Sequence, residues 1–254
     1  MIATLEGYTR EDVDALAVTS QERADKAIKN GHFDQALIPI KNEDGSVALD
    51  HEEFPRPGTT MESLGKLPTV FDNFMGVGID DTGETFDHLV KRKYPDLEIN
   101  HVHHAGNSSG VVDGAAALIL ANEDYTKGAG WKPRARVVAT ATAGGSPTLM
   151  LNEPVPAAKE VLKKAKMELS DIDLFEVNEA FSVVALKFIR DLGLDPETVN
   201  PNGGAMALGH PIGATGSILI GTALDELERQ DKERALITMC TGGGMAPAII
   251  IERV

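Results

Sequence analysis

The chain has 254 residues, a length that fits one large domain or two small ones. Its apolar fraction of 42% and charged fraction of 25% are ordinary for a soluble globular protein. Asp and Glu total 39 against 24 Lys and Arg, a net charge of −15, which argues against a broad nucleic-acid or anionic-membrane surface but still allows a small basic pocket. No stretch approaches the roughly 18–20 apolar residues of a membrane span. The opening "MIATLEGYTREDVD" turns polar too soon for a signal peptide. Cys240 is the single cysteine, so an internal disulfide is excluded and a reducing cytoplasm is expected.

The first predicted element is a helix over residues 9–29. Thr9 and Asp12 have capping-box spacing, and Val13, Leu16, Ala17 and Ala24 supply part of an apolar face. Gly/Pro-punctuated chain follows ("NEDGS", "FPRPGTT", "FDNFMGVGIDDTGE"), and that much irregular chain suggests a functional loop region. "VVDGAAALILANED" reads as a helix or a buried strand. From about residue 135 the rhythm is regular. "ARVVATATA" is a strand, "VPAAKEVLKKAKM" a helix and "IDLFEV" a strand. "EAFSVVALKFIRDLG" is a helix with Phe181, Val184, Ala185, Phe188, Ile189 and Leu192 on one stripe and Gly193 as its stop. A short strand is expected at "TVN", then a helix at "IGATGSILIGTALDELERQ" and strands at "RALITMC" and "MAPAIIIERV". The order βαβαβαββ predicts a layered α/β fold behind a loop-rich region.

Four segments fall at strand ends or helix starts, where α/β folds place ligands. In "NEAF", Asn178 is either a helix N-cap or an amide aimed at a substrate or a water. In "NGGAMALGHPIGATG", His210 stands at a helix entry, which disfavours imidazolium and suits a neutral base or an oxyanion donor; a packed histidine in a turn is the plainer reading. In "CTGGG", Cys240 is a proton-transfer thiol or a small buried side chain, and the glycines offer backbone donors. In "HVHHAGNSSGVVDG", His101 and His103 share a strand face, but no nearby carboxylate or cysteine completes a metal set, so no metal site is assigned. "AGNSSG" can contact a ligand tail through backbone and hydroxyls.

Together, "AGNSSGVVDGAA", "VNEAF", "NPNGGAMALGHPIGATG" and "CTGGGMAPAIIIERV" resemble the thiolase family, the acetyl-CoA acetyltransferases and 3-ketoacyl-CoA thiolases, and "TREDVDALAVTSQERADKAIKNGHFDQALIPI" resembles that family's loop-domain helix. The resemblance implies a thiolase-like layered α/β fold of βαβαβαββ halves with a loop-rich insertion. It divides the chain into a loop domain at 1–111, the closing helix and strand of the N-terminal half at 112–135, and the C-terminal domain at 136–254. It implies that His210 activates a nucleophilic cysteine and helps bind the thioester oxygen. Asn178 would hold a water in the same oxyanion site, and Cys240 would move the proton at the acetyl α-carbon. The Gly242 N–H would serve the other oxyanion hole, Ser109 would touch the CoA pantetheine, Arg56 would lie near the CoA nucleotide, and Met150 would line the acyl pocket. Coenzyme A enters as substrate, with no cofactor and no metal. The partners implied are CoA and acyl-CoA, with a homo-oligomer or a separate N-terminal half and no nucleic acid or membrane.

The departure from the family pattern is the nucleophilic cysteine, which the family carries ahead of the loop domain. The expectation is a C-terminal portion, from a truncated product or a split enzyme, without turnover on its own. A ketoacyl-synthase-like protein shares the glycine-flanked histidine, but "NEAF" and the "GHP"–"CTGGG" pair favour thiolase. A non-catalytic CoA-ester-binding protein is the alternative from another class. Pro201 and the Ala246-Pro247 pair also depart from the pattern, and Pro247 predicts an edge position or an irregular strand start.

Overall fold

The computed structural model describes residues 1–254. Its main sheet has four strands: β3 (Ala135–Gly144), β4 (Leu174–Val177), β5 (Arg234–Thr238) and β6 (Met245–Arg253), in spatial order β3-β6-β5-β4. β4 and β5 run parallel, while β6 is antiparallel to both its neighbours. Side chains alternate across the sheet with period two. Leu236 joins the cluster on the face covered by α6 (Pro154–Ala165) and α7 (Ser182–Leu192). Its neighbours Ala235 and Ile237 join Leu219, Ala223 and Leu227 of α9 (Thr215–Gln230) on the other. Both faces are therefore covered by helices, which explains the near-continuous apolar runs of β4 and β5.

The α7 stripe packs as its spacing predicts. Phe188 has no exposed surface, and burying such a ring contributes about 1.5–3 kcal/mol. Gly193 ends the helix in the left-handed region at φ 66. Pro154 stands in the first turn of α6, where a missing N–H costs nothing.

The loop-rich part carries α1 (Ile2–Glu6), α2 (Arg10–Lys29), a hairpin of β1 (Ile40–Lys41) and β2 (Val47–Leu49), α3 (Met61–Gly65) and α4 (Phe86–Lys93). Thr9 and Asp12 form the expected reciprocal cap on α2. Val13 of α2 belongs to the same core cluster as α6 and α7, and Ser182 Oγ donates to the Val13 carbonyl at 2.7 Å. The first part of the chain is thus built onto the layered unit.

Two local expectations change. "TVN" is not a strand; Val199 makes one isolated parallel bridge to Phe175. Asn200 takes a left-handed φ of 45, and its side chain acts as the strand's neighbour instead. Its Oδ1 accepts from the Val177 N–H and its Nδ2 donates to the Val177 carbonyl, both at 2.9 Å. The second change is at residues 111–122, which form neither helix nor buried strand. Val111, Ile119 and Leu120 are 97%, 81% and 79% exposed. A strand must pair its N–H and C=O groups, and none of these residues is paired in either sheet or in an isolated bridge. Regular structure resumes at α5 (Glu123–Gly128), capped by Asn122. Pro247 behaves as expected for an irregular start: β5 ends opposite Ala248, so Ala246 and Pro247 have a strand partner on the β3 side alone.

Candidate active site

The parallel pair β4 and β5 ends with Val177 opposite Thr238. Asn178 follows β4 directly, and its N–H donates to the Thr238 carbonyl at 3.1 Å. Cys240 lies two residues beyond β5, so Asn178 and Cys240 leave the same sheet end side by side. Asn178 is fully buried and is not a helix N-cap; α7 starts at Ser182 with Phe181 in the cap position. Asn178 Nδ2 is 3.5 Å from His210 Nε2, and Asn178 Oδ1 is buried without a partner.

His210 reaches this point from α8 (Ala205–Leu208) and the turn before α9. Its Nδ1 lies 2.7 Å from Thr215 Oγ1. That hydroxyl donates its proton to the Pro211 carbonyl at 3.0 Å, so it accepts from His210. The proton of the neutral ring therefore sits on Nδ1, leaving a lone pair on Nε2 toward Asn178. Burial lowers the His210 pKa below its ordinary value, which keeps that lone pair available at neutral pH. A neutral imidazole so fixed can take a proton from a thiol and then donate Nε2–H to a developing oxyanion.

Two loops converge on this pair. The His210 N–H donates to the Gly110 carbonyl at 2.9 Å, and the Ser109 N–H donates to the Ala180 carbonyl at 3.0 Å. Gly110 is a close approach: a Cβ there would lie 2.0 Å from the Phe54 ring. Phe54 carries the Arg56 guanidinium 5.3 Å above its centroid, which sets Arg56 one layer outside Ser109. Gln21 pins that loop by accepting the Arg56 N–H at 2.8 Å.

Cys240 is buried, and burial pushes its thiol up to about 11. At neutral pH it is held as the thiol rather than the thiolate. The following turn closes between Thr241 and Met245, leaving Gly242 exposed with an N–H that bonds no group of the chain. Gly244 has φ 84, and a Cβ there would sit 2.7 Å from the Ser146 carbonyl carbon. It accepts the Gly145 N–H at 2.8 Å, which ties the Cys240 turn to the 145–151 loop. Met150 in that loop is half-exposed at φ 63 and lines a cavity of about 360 Å³ together with Phe181. Asn178, His210 and Ser109 are thus joined by direct bonds or by their neighbours, while Cys240 and Gly242 follow the adjacent strand β5 and Met150 lies in the loop tied to their turn.

Two supports were not read from the sequence. Thr215 fixes the His210 tautomer; the signal was a hydroxyl one turn beyond "GHP". Glu179, the second residue of "NEAF", is buried and raised in pKa by that burial. It accepts from Ser20 Oγ at 2.7 Å and Asn200 Nδ2 at 3.0 Å, locking α2 to the strand end. Two of the three histidines are held separately: His104 Nε2 meets Asp14 at 2.7 Å and His103 Nδ1 meets Asn107 at 3.2 Å. No three His, Cys, Asp or Glu side chains converge on one point.

The family model for the thiolase C-terminal domain matches residues 131–253, and that for the thiolase N-terminal domain matches residues 1–78. An acetyl-CoA acetyltransferase of Thiocystis violacea is 39% identical over 99% of this chain, and a beta-ketoadipyl-CoA thiolase of Escherichia coli is 43% identical over all of it. The crystal structure of the Bacillus anthracis acetyl-CoA acetyltransferase superposes with a TM-score of 0.84 at 33% identity over 100% of the chain. Human mitochondrial 3-ketoacyl-CoA thiolase in complex with CoA gives 0.85 at 37% over 100%. The chain spans 58% of the length of each of the first three and 57% of the last.

Proposed function

On the premise that this chain belongs to the thiolase family, a family that uses CoA as substrate and no cofactor, we propose that it carries the CoA-ester site and the proton-transfer half of thiolase chemistry. The reaction is thiolytic cleavage of a 3-ketoacyl-CoA, or its reverse, the Claisen condensation of acetyl-CoA. In cleavage a thiolate attacks the C3 carbonyl and the C2–C3 bond breaks. The electron pair passes to C2 as the enolate of acetyl-CoA, which takes a proton from the Cys240 thiol. CoA then gives its thiol proton to the Cys240 thiolate and attacks the acyl group, which passes to CoA as its thioester while the first thiolate leaves. His210 draws the proton from the attacking thiol, and Asn178 with His210 holds the thioester oxygen as charge collects on it. The Gly242 N–H receives the second oxyanion, Ser109 meets the pantetheine, Arg56 the nucleotide and Met150 the acyl chain.

The observation that carries this reading is the His210 lone pair. It is fixed by Thr215, faces Asn178, and stands beside the end of the strand that delivers Cys240. Cys240 fits the acid because its raised pKa keeps it protonated. The same property disqualifies it as the nucleophile, so the attacking thiol comes from outside these 254 residues. The exposed apolar stretch at 118–120 supports association with another thiolase-type chain. The single cysteine supports a reducing, cytoplasmic setting.

The test is an assay of the purified chain with acetoacetyl-CoA and free CoA, following loss of the 3-ketoacyl signal. No turnover is expected from residues 1–254 alone, together with calorimetric binding of CoA. Turnover that disappears in His210→Ala would overturn the missing-thiol claim, and absence of CoA binding would overturn the site.

A further inference from the structure

The two glycines of "NGG" are close approaches. A Cβ on Gly204 would lie 2.3 Å from the Glu179 carboxyl carbon, and one on Gly203 would lie 2.6 Å from the Ser20 carbonyl oxygen. The turn ahead of His210 is thus pressed against α2 on one side and against the Glu179 side chain on the other.

Glu179 is buried, and every side-chain hydrogen bond it makes is one it accepts. Oε2 accepts from Ser20 Oγ at 2.7 Å and from the Met206 N–H at 3.3 Å. Oε1 accepts from Asn200 Nδ2 at 3.0 Å. Ser20 Oγ in turn accepts the Gly204 N–H at 3.0 Å. Asn200 is not free to turn its amide around, because its Oδ1 takes the Val177 N–H and its Nδ2 also serves the Val177 carbonyl. The site therefore calls for two acceptor oxygens, which a carboxylate supplies and an amide does not.

These bonds join two segments. Asn178 sits between Val177, clamped by Asn200, and Glu179, bonded to the same amide. Met206 lies in α8, where the Gly204 carbonyl accepts the Leu208 N–H at 2.9 Å and the Ala205 carbonyl accepts the Gly209 N–H at 3.0 Å. That turn of helix runs straight into His210. A second path between the segments, Ser109 N–H to Ala180 and His210 N–H to Gly110, is made of backbone alone.

We propose that Glu179 is a positioning residue for the proton transfer: its carboxylate holds the turn that carries His210 against the strand end that carries Asn178, and so sets the reach between the two groups. Ser20 extends the hold to α2. This rests on the CoA-ester reading above.

The test is proton NMR of the purified chain, reading the NOE between the Asn178 side-chain amide and the His210 ring. Glu179→Gln keeps the shape but turns an NH2 toward a donor at one of the two oxygen positions. It is expected to weaken that NOE severalfold and to stay folded on the backbone path. Ser20→Ala removes one donor and is expected to weaken it less. Methyl-proton exchange at saturating acetyl-CoA is expected to fall about ten- to hundredfold in Glu179→Gln, with CoA affinity by calorimetry unchanged. A purely structural role would lower the melting temperature and leave the NOE and the saturated exchange as they are; that result in the two variants overturns the inference. The NOE is read without ligand. A wild type that shows it but exchanges no methyl protons overturns the proton-transfer reading, and the NOE in the variants still decides whether Glu179 sets the reach.

Discussion

His210 Nδ1 lies 2.7 Å from Thr215 Oγ1, whose own proton goes to the Pro211 carbonyl. The relay fixes one tautomer of a half-buried ring, and it is what makes the Nε2 lone pair available beside Asn178. Thr215→Val keeps the shape and removes the acceptor. Nitrogen NMR of the imidazole is expected to show Nδ1 protonated in the wild type and a mixture of tautomers in the variant. The variant is also expected to lose about 0.5–1.5 kcal/mol of stability with the hydrogen bond.

Cys240 gives a pH signature. With its thiol pushed up to about 11, alkylation by a small reagent is expected to be slow at pH 7. Its rate should rise about tenfold per pH unit up to the thiol pKa, following the thiolate fraction. A rate already at its plateau at pH 8 would contradict the proton-carrier assignment. Mass spectrometry reads the product without interference, because there is no other cysteine.

The acid side of the stability curve is expected to report His103. Its pKa falls from 6.5 unfolded to about 4 folded. The stability its neutral form contributes is thus full above 6.5 and declines as pH falls toward 4, where the unfolded state alone holds the proton. In that window His103→Phe should remove a slope of about 1.4 kcal/mol per pH unit. Urea midpoints at a series of pH values for both proteins check it.

Glu176 works with the opposite sign. It is fully enclosed beneath the strand end, its Oε1 has no partner, and burial, reinforced by Glu179 and Glu226, holds its pKa well above 4.5. Stability is complete below that ordinary value and is lost as pH rises through the folded value. Glu176→Gln is expected to match the wild type in mild acid and to exceed it increasingly toward pH 9 in thermal melts. Equal melting temperatures across the range would mean that the carboxyl finds a partner when ionised.

Much of this was legible in the residues themselves. Thr9 and Asp12 announced α2, and the 3.6-residue stripe ending at Gly193 announced α7. The short, near-continuous apolar runs of β4 and β5 marked the sheet, because local caps and apolar patterning are what those elements rest on. "TVN" misled because Asn200 supplies with its side chain what a strand supplies with its backbone, and one amide carries no periodicity. The segment at 111–122 misled because its composition suits a strand while its fate depends on a neighbouring edge. At the site, "GHP" and "NEAF" pointed to His210 and Asn178. Glu179 depends on contacts between distant parts of the chain, above all with Ser20, whereas Thr215 acts through the local turn after His210, and a lone hydroxyl there carries no pattern.

The most direct test of the account is proton exchange at the methyl group of acetyl-CoA in D₂O, followed by NMR with the purified chain. The Cys240 thiol would pass its proton to His210 Nε2, and the resulting thiolate would take a methyl proton while the Nε2–H and the Asn178 amide N–H hold the enolate oxygen, then return a deuteron. This step needs no second thiol. The account predicts exchange that vanishes in Cys240→Ala and falls sharply in His210→Ala. Exchange no faster than in buffer, with acetyl-CoA demonstrably bound, would contradict it.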